Sequence, residues 1–140
     1  MRSALLACAA VPEVAARLPE CAEGAEGAVE VAVRLTGDRE LRRLNRSFLG
    51  HDEVTDVLAF PSGEAPHLGD IALSVPTATR QAASFGHGVE AEVALLCVHG
   101  FLHLLGWDHS SPGEAAEMNR LTVAALDGVG VSLSPARLTT

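Results

Sequence analysis

The sequence has no lysine and no tyrosine, one tryptophan, four phenylalanines and three cysteines. Each scarcity excludes something. With so few aromatics, the core has to be aliphatic, assembled mostly from Leu, Val, Ala and Ile. Cys8, Cys21 and Cys97 are odd in number and lack paired spacing, which argues against a disulfide framework and for a reducing cytoplasm. No apolar run approaches the ~20 residues of a transmembrane helix, so a membrane partner is not expected. The opening MRSALLACAA holds an apolar run at the minimum length for a signal peptide and is read as a first core strand or helix. The net charge of −8 argues against nucleic-acid binding through an overall positive field. Yet all ten basic residues are Arg, the better residue for bidentate phosphate contacts. Local clustering, not global charge, therefore decides the partner.

What is present describes one domain. The 140 residues are 48% hydrophobic, enough to bury a single core. VEVAVRL (29–35) alternates like a half-buried strand, after a Gly-rich turn at 23–28. GDRELRRLNRSFLG reads as a helix, with Leu41, Leu44 and Phe48 at helical spacing. VTDVLAF is a second strand, ended by the turn-rich PSGEAPHLG, and DIALS (70–74) is its hairpin partner. From Pro76 onward the chain is helical. TATRQAASFG stops at Gly86, and VEAEVALLCVHGFLHLLG stops at Gly106. The latter is apolar nearly all round and reads as the buried central helix. Ser111, Pro112 and Glu114 form a capping-box start for a last helix, followed by a loose tail. The expected fold is α+β, a small mixed sheet packed on several helices.

The central helix ends in HGFLHLLGWDH, residues 99 to 109. His99 and His103 are four residues apart, about 40° around a helix axis, so both imidazoles can reach one ion. Gly106 permits the left-handed turn that ends the helix, and His109 can swing back as a third ligand. Three His ligands with an open fourth position describe a catalytic zinc site, although nickel, cobalt or iron also suit imidazole. The spacing is that of the metzincin proteases, in which a Glu follows the first His as general base. Here that position is Gly100, which counts against a peptidase.

The pattern H-G-x-L-H-L-x-G-x-D-H resembles the YbeY family of bacterial metal-dependent endoribonucleases, the rRNA maturation factors. LNRSFLGHDEVTDVLAFP (44–61), LGDIALS (68–74) and EAAEMNRL are also similar to stretches of that family, from about residue 29 onward. The resemblance implies that residues 1–140 are one metal-dependent hydrolase domain with one Zn²⁺ held by His99, His103 and His109. It implies single-strand-specific cleavage of RNA in small-subunit rRNA maturation and ribosome quality control in the cytoplasm. The implied partners are rRNA and ribosomal components, with no DNA and no membrane. One departure stands out: the family's usual arginine after Tyr/Phe is Leu49, and His51, Glu53 and Val54 replace two lysines and a proline.

Arg39, Arg42, Arg43 and Arg46 fall on one helical stripe, either a solvated face or a patch that steers RNA. Asp108 is read as an anchor that orients an imidazole or, less favourably placed, as a general base. Asp56 and Asp70 sit where they could border the cleft, beside Thr55. Cys97 and Met118 read as core, and His51, His67 and His87 as exposed residues near loops. The competing readings are a non-catalytic ribosome-assembly factor stapled by zinc, and a metallohydrolase acting on another substrate.

Overall fold

The computed structural model describes residues 2–18, 29–64 and 66–138. Cys21 and the Gly-rich 23–28 stretch lie outside them. The opening stretch forms helix α1 (Arg2–Ala10), and Pro12 starts a single turn, α2 (Pro12–Ala15). Strand β1 (Glu30–Thr36) leads into α3 (Asp38–Leu44), whose continuation over Asn45–Leu49 widens into a π turn. A hairpin follows, β2 (Val57–Glu64) and β3 (His67–Ser74), and then α4 (Val75–Phe85), α5 (Val89–Leu104) and α6 (Pro112–Asp127). A 3₁₀ turn, Pro135–Leu138, ends the described chain. No helix among the described residues is long and apolar enough to cross a membrane.

The sheet has the order β1-β3-β2, with β1 parallel and β2 antiparallel to β3. The central strand is covered on both faces, which is why Ile71, Ala72, Leu73 and Ser74 are buried in succession instead of alternating. Ile71 and Leu73 join the main core with α5, α6 and α1, while Ala72 packs with Leu58 and Leu41 under α3. The α+β architecture and the buried central helix are as the sequence leads one to expect. The core is aliphatic, with Phe101 and Trp107 as its buried aromatics. Cys8 and Cys97 are buried free thiols, their pKa pushed up by burial to about 12 and about 11.

Four expectations are corrected. Strand β2 runs through Pro61 to Glu64, tolerating the proline because it is an edge strand, with an irregular register between Pro61 and Glu64. Phe48 is 67% exposed; the wide turn takes it off the Leu41–Leu44 line, and its ring meets the Phe60 ring edge-on. His87 is not exposed: its side chain is only 8% accessible, with the imidazole against Glu92. The described part of the tail, to residue 138, is not loose, because its 3₁₀ turn is bound to α5 and α6.

The two faces of the sheet are tied by Asp38, at the start of α3. Its carboxylate accepts hydrogen bonds from the Ser74 and Thr77 hydroxyls and from Arg80 at 2.8 Å. Ser74 also caps α4, accepting from the Thr77 amide. The Ser74 bond first, then Thr77 and Arg80, holds the Asp38 carboxyl down to about 2. The unfolded carboxyl titrates near ~3.9, so this stabilisation is complete above that value and lost as pH falls through about 2. Asp38→Asn should therefore be less stable than wild type at pH 6, with the gap closing between ~4 and ~2. Urea unfolding at several pH values checks this; a gap independent of pH would refute it.

Candidate metal centre

Helix α5 is amphipathic in function, not in composition. Nearly every side is buried, and its C-terminal turns carry His99 and His103 to the wall of a cavity of about 480 Å³. The helix ends as the sequence indicates. Gly106 takes φ 99°, and the Gly106 and Trp107 amides bond back to the His103 and Leu102 carbonyls. Trp107 is buried and lies under the Arg17 guanidinium, 3.7 Å from its ring centroid. That anchor fixes the turn, so the chain returns and His109 reaches the same cavity.

The His103 and His109 rings are 5.1 Å apart in an edge-to-face arrangement. Donor atoms of His103, Asp108 and His109 all lie within 4.8 Å of one another. Asp108 accepts the backbone N–H of His109 at 2.7 Å, which is the first cause of its lowered pKa. His99 lies deeper. Burial above all, then the Arg137 charge and the two other histidines, push its pKa down to about 4. Burial and His109 lower that of His103, partly opposed by its hydrogen bond to the Trp107 backbone. Near pH 7 both rings are thus neutral, the form that donates a lone pair to a metal.

The residues present suit a metal ion on a structural ground. The Nε2 atom of His99 is buried with no hydrogen-bond partner among the described residues. Such an atom costs about 1–3 kcal/mol if nothing satisfies it, and a cation in the histidine-lined cavity would do so. His99, His103 and His109 all line the cavity, but the donor atoms within 4.8 Å of one another are those of His103, Asp108 and His109, without His99.

The other expected residues divide. Thr55 and Asp56 line the cavity; Asp56 accepts hydrogen bonds from the Val57 amide and the Gln81 side chain. Asp70 does not line it, and pairs with His67 at 3.1 Å on the surface. Met118 is buried and also lines the cavity. Leu49, half exposed, lines a neighbouring groove that shares Val57, Ala59 and His103 with it. None of Arg39, Arg42, Arg43 and Arg46 lines the cavity. Arg42 is held by Asp52 at 2.8 Å and Arg43 by Glu40 at 2.7 Å, so half the stripe's charge is locally balanced.

Sequence reasoning missed Asn119, Arg137 and Leu138, which form one wall. Arg137 grips the fully buried Glu92 with Nε and Nη2 at 2.9–3.0 Å. The Ser134 amide donates to His87 Nδ1, so the ring proton sits on Nε2 and donates to Glu92 at 2.9 Å. Asn119 donates to the Leu138 carbonyl. A signal existed: Glu92 lies seven residues before His99, on the buried side of a mostly apolar helix, and a buried carboxylate needs a partner.

A histidine-lined cavity at the end of a buried helix, on a small mixed sheet, defines an α+β protein with a group of side chains that could hold a metal ion. Residues 9–130 match the family model of endoribonuclease YbeY. The endoribonuclease YbeY of Gloeobacter violaceus is 50% identical over 115 residues, 75% of this chain and 59% of that protein, so this chain spans less than two thirds of its length. Those of Moorella thermoacetica and Symbiobacterium thermophilum are 45% and 40% identical, over 79% and 87% of this chain and 79% and 86% of theirs. The solution structure of a Thermotoga maritima protein is 31% identical, with a TM-score of 0.50 over 72% of this chain and 71% of that one. The chain belongs to the endoribonuclease YbeY family.

Proposed function

We propose that residues 1–140 work as one zinc-dependent domain that cleaves single-stranded RNA during small-subunit rRNA maturation. The proposed ligands are His99, His103 and His109, and the proposed setting is cytoplasmic ribosome biogenesis and quality control, with ribosomal components as partners. The carrying observation is the buried Nε2 of His99, without a hydrogen-bond partner among the described residues, at the wall of a cavity shared by the two other histidines. Membership of a family named for RNA cleavage supplies the substrate class.

When bound, the ion supplies Lewis-acid polarisation of a phosphodiester and a water acidic enough to attack near neutral pH. The chain does the rest. His99 and His103 stay neutral, so no proton competes for their lone pairs near pH 7. Asp108 holds the backbone beside His109 and so orients that imidazole, the anchoring role. Its carboxylate is also close enough to His103 and His109 to take a proton as the lesser alternative. Asp56, fixed by the Val57 amide and the Gln81 side chain, brings a carboxylate to the cavity lining, to which Met118 adds an apolar surface. Arg39 and Arg46, with Arg42 and Arg43 damped by their carboxylates, are the proposed outer contacts for RNA phosphates.

The purified protein should carry one zinc per chain and cleave single-stranded RNA. A chelator should abolish cleavage, and added zinc should restore it. Cleavage indifferent to chelation would refute the reading. A second reading, a non-catalytic assembly factor stapled by zinc, is favoured by the closeness of Asp108 as a fourth donor. It predicts bound zinc, loss of the fold on chelation and no cleavage.

A further inference from the structure

A large apolar side chain left singly in water needs no explanation, but here such side chains are grouped. Among the described residues six of them are exposed, and three, Phe48, Leu49 and Val54, fall in one loop. That loop is built, not slack. Asp52 accepts from Arg42 Nε and Nη2 at 2.8 and 3.2 Å. The buried Asn45 donates its side-chain N–H to the Glu53 carbonyl and accepts the His51 amide at its own carbonyl. Phe48, 67% exposed, is held by its edge-to-face contact with Phe60, the ring centroids 5.5 Å apart. Whichever ring supplies the edge, this contact leaves at least one face of Phe48 uncovered.

The groove beside this loop leads to the histidines. It encloses about 430 Å³, and Leu49, Val57, Leu58 and Ala59 line it together with His103 and Asp108. Along β2, Val57 and Ala59 face the histidine cavity, while Leu58 and Phe60 pack with Leu41 and Leu44 under α3. A groove lined by three successive residues of an edge strand therefore passes around that edge. It joins the histidine side of the sheet to the side on which Phe48 meets Phe60.

The occupant has to suit a small aromatic face set among charges. Arg46, His51, Asp52 and Glu53 are all exposed around it, so the apolar surface is soon interrupted. A stable contact between two copies needs about 800 Å² on each partner, with an apolar centre. A single planar base needs far less. Sites for single-stranded nucleic acid pair aromatic faces with nearby arginine, and Arg46 stands two residues before Phe48.

We infer that Phe48 is a stacking platform for an unpaired base of the RNA strand whose phosphate lies in the histidine cavity, with Leu49 as its apolar flank. This rests on the RNA-cleavage reading above. A base inside a duplex has no free face, so the platform selects single-stranded RNA. Stacking thereby supplies beside the cavity the hold that Leu49, which is uncharged, does not give.

The test is single-turnover cleavage of a single-stranded oligoribonucleotide by the zinc-loaded full chain, at several enzyme and salt concentrations. Half-saturation then reports affinity, and the plateau reports rate. Phe48→Ala should raise the half-saturating concentration roughly 5- to 150-fold, the scale of one lost base stack. The slope of log affinity against log salt should not change, because no phosphate contact is removed. Phe48→Leu keeps an apolar side chain without a planar ring and should lose most of the same affinity. Phe48→Trp should keep it, and RNA should quench its emission beyond any change in wild type, whose single tryptophan is the buried Trp107. Leu6→Ala, at an exposed apolar residue of α1, is the control for lost apolar surface and should bind as wild type does. A folded Phe48→Leu variant with wild-type affinity overturns the proposal, as does a Leu6 variant with the same loss. A wild-type dimer that Phe48→Leu dissociates, read by sedimentation, also overturns it, since the patch would then be a contact between copies. Wild-type protein that neither binds nor cleaves RNA instead overturns the functional reading, and the proposal with it.

Discussion

Replacing His103 by alanine is expected to lower RNA cleavage at least ~100-fold and to release the metal, with the fold intact. The magnitude follows from lesser changes: loss of a residue that merely supports a metal ligand typically costs about 10–100-fold in affinity or activity. The fold should survive because His103 is half-buried at the cavity wall. Its side chain meets the His109 ring edge-to-face and hydrogen-bonds the Trp107 backbone, and it is not among the fully buried core residues. Thermal unfolding separates the two effects. At zinc concentrations ~100 times the dissociation constant, the wild type should gain about 2.7 kcal/mol from mass action, and the variant should gain none. Without zinc, the two should unfold at similar temperatures. A variant that keeps both its zinc and its cleavage would remove His103 from the ligand set.

Gly100→Glu, which restores the metzincin base, is expected to destabilise the protein by on the order of 4 kcal/mol and to give no peptidase. A Cβ at Gly100 would sit 2.8 Å from Ile71 Cγ2 and 3.2 Å from Ile71 Cδ1. Ile71 is fully buried in the central strand, and its γ-methyl is on a β-branched carbon that cannot swing aside. Any side chain therefore forces α5 away from β3, and Glu adds an unpaired charge to an apolar interface. Gly100→Ala isolates the steric part. Helix propensity alone favours Ala by ~1 kcal/mol, but overpacking typically costs ~1–3 kcal/mol, so the net effect should still be a loss. Urea unfolding of both variants and a peptide-hydrolysis assay check this. A Gly100→Glu protein as stable as wild type would refute the close packing of α5 on β3. The missing glutamate is therefore a packing fact as well as a chemical one, and it weakens the reading of this chain as a hydrolase of peptides.

Much of the site could be read along the chain, because its codes are local. The i, i+4 spacing places His99 and His103 on one helix face whatever surrounds that helix. Gly106 ends α5 because its φ of 99° is open to glycine, and Ser111 caps α6 by accepting from the Glu114 amide. The hairpin of β2 and β3 follows from two strand-like runs on either side of a stretch rich in turn residues. The reading failed where a residue's fate depends on partners distant in sequence. His87 looked like a loop histidine, but Glu92 and Ser134 enclose it. Phe48 looked like core, but a single wide turn moved it to the surface.

The sequence by itself determined the α+β class, the buried central helix and the three candidate ligands, since periodicity, capping and side-chain spacing need no knowledge of the rest of the molecule. Tertiary structure decided which charges matter. Ten arginines are indistinguishable in composition, and burial of Glu92 selects Arg137 among them, because an unpaired carboxylate in that core would cost several kcal/mol. It likewise balanced Arg42 and Arg43 with Asp52 and Glu40, set Leu49 beside His103, and closed the cavity with a tail that looked featureless. Local geometry is written in short stretches of chain; electrostatic pairing depends on which distant groups the fold brings within about 3 Å of each other.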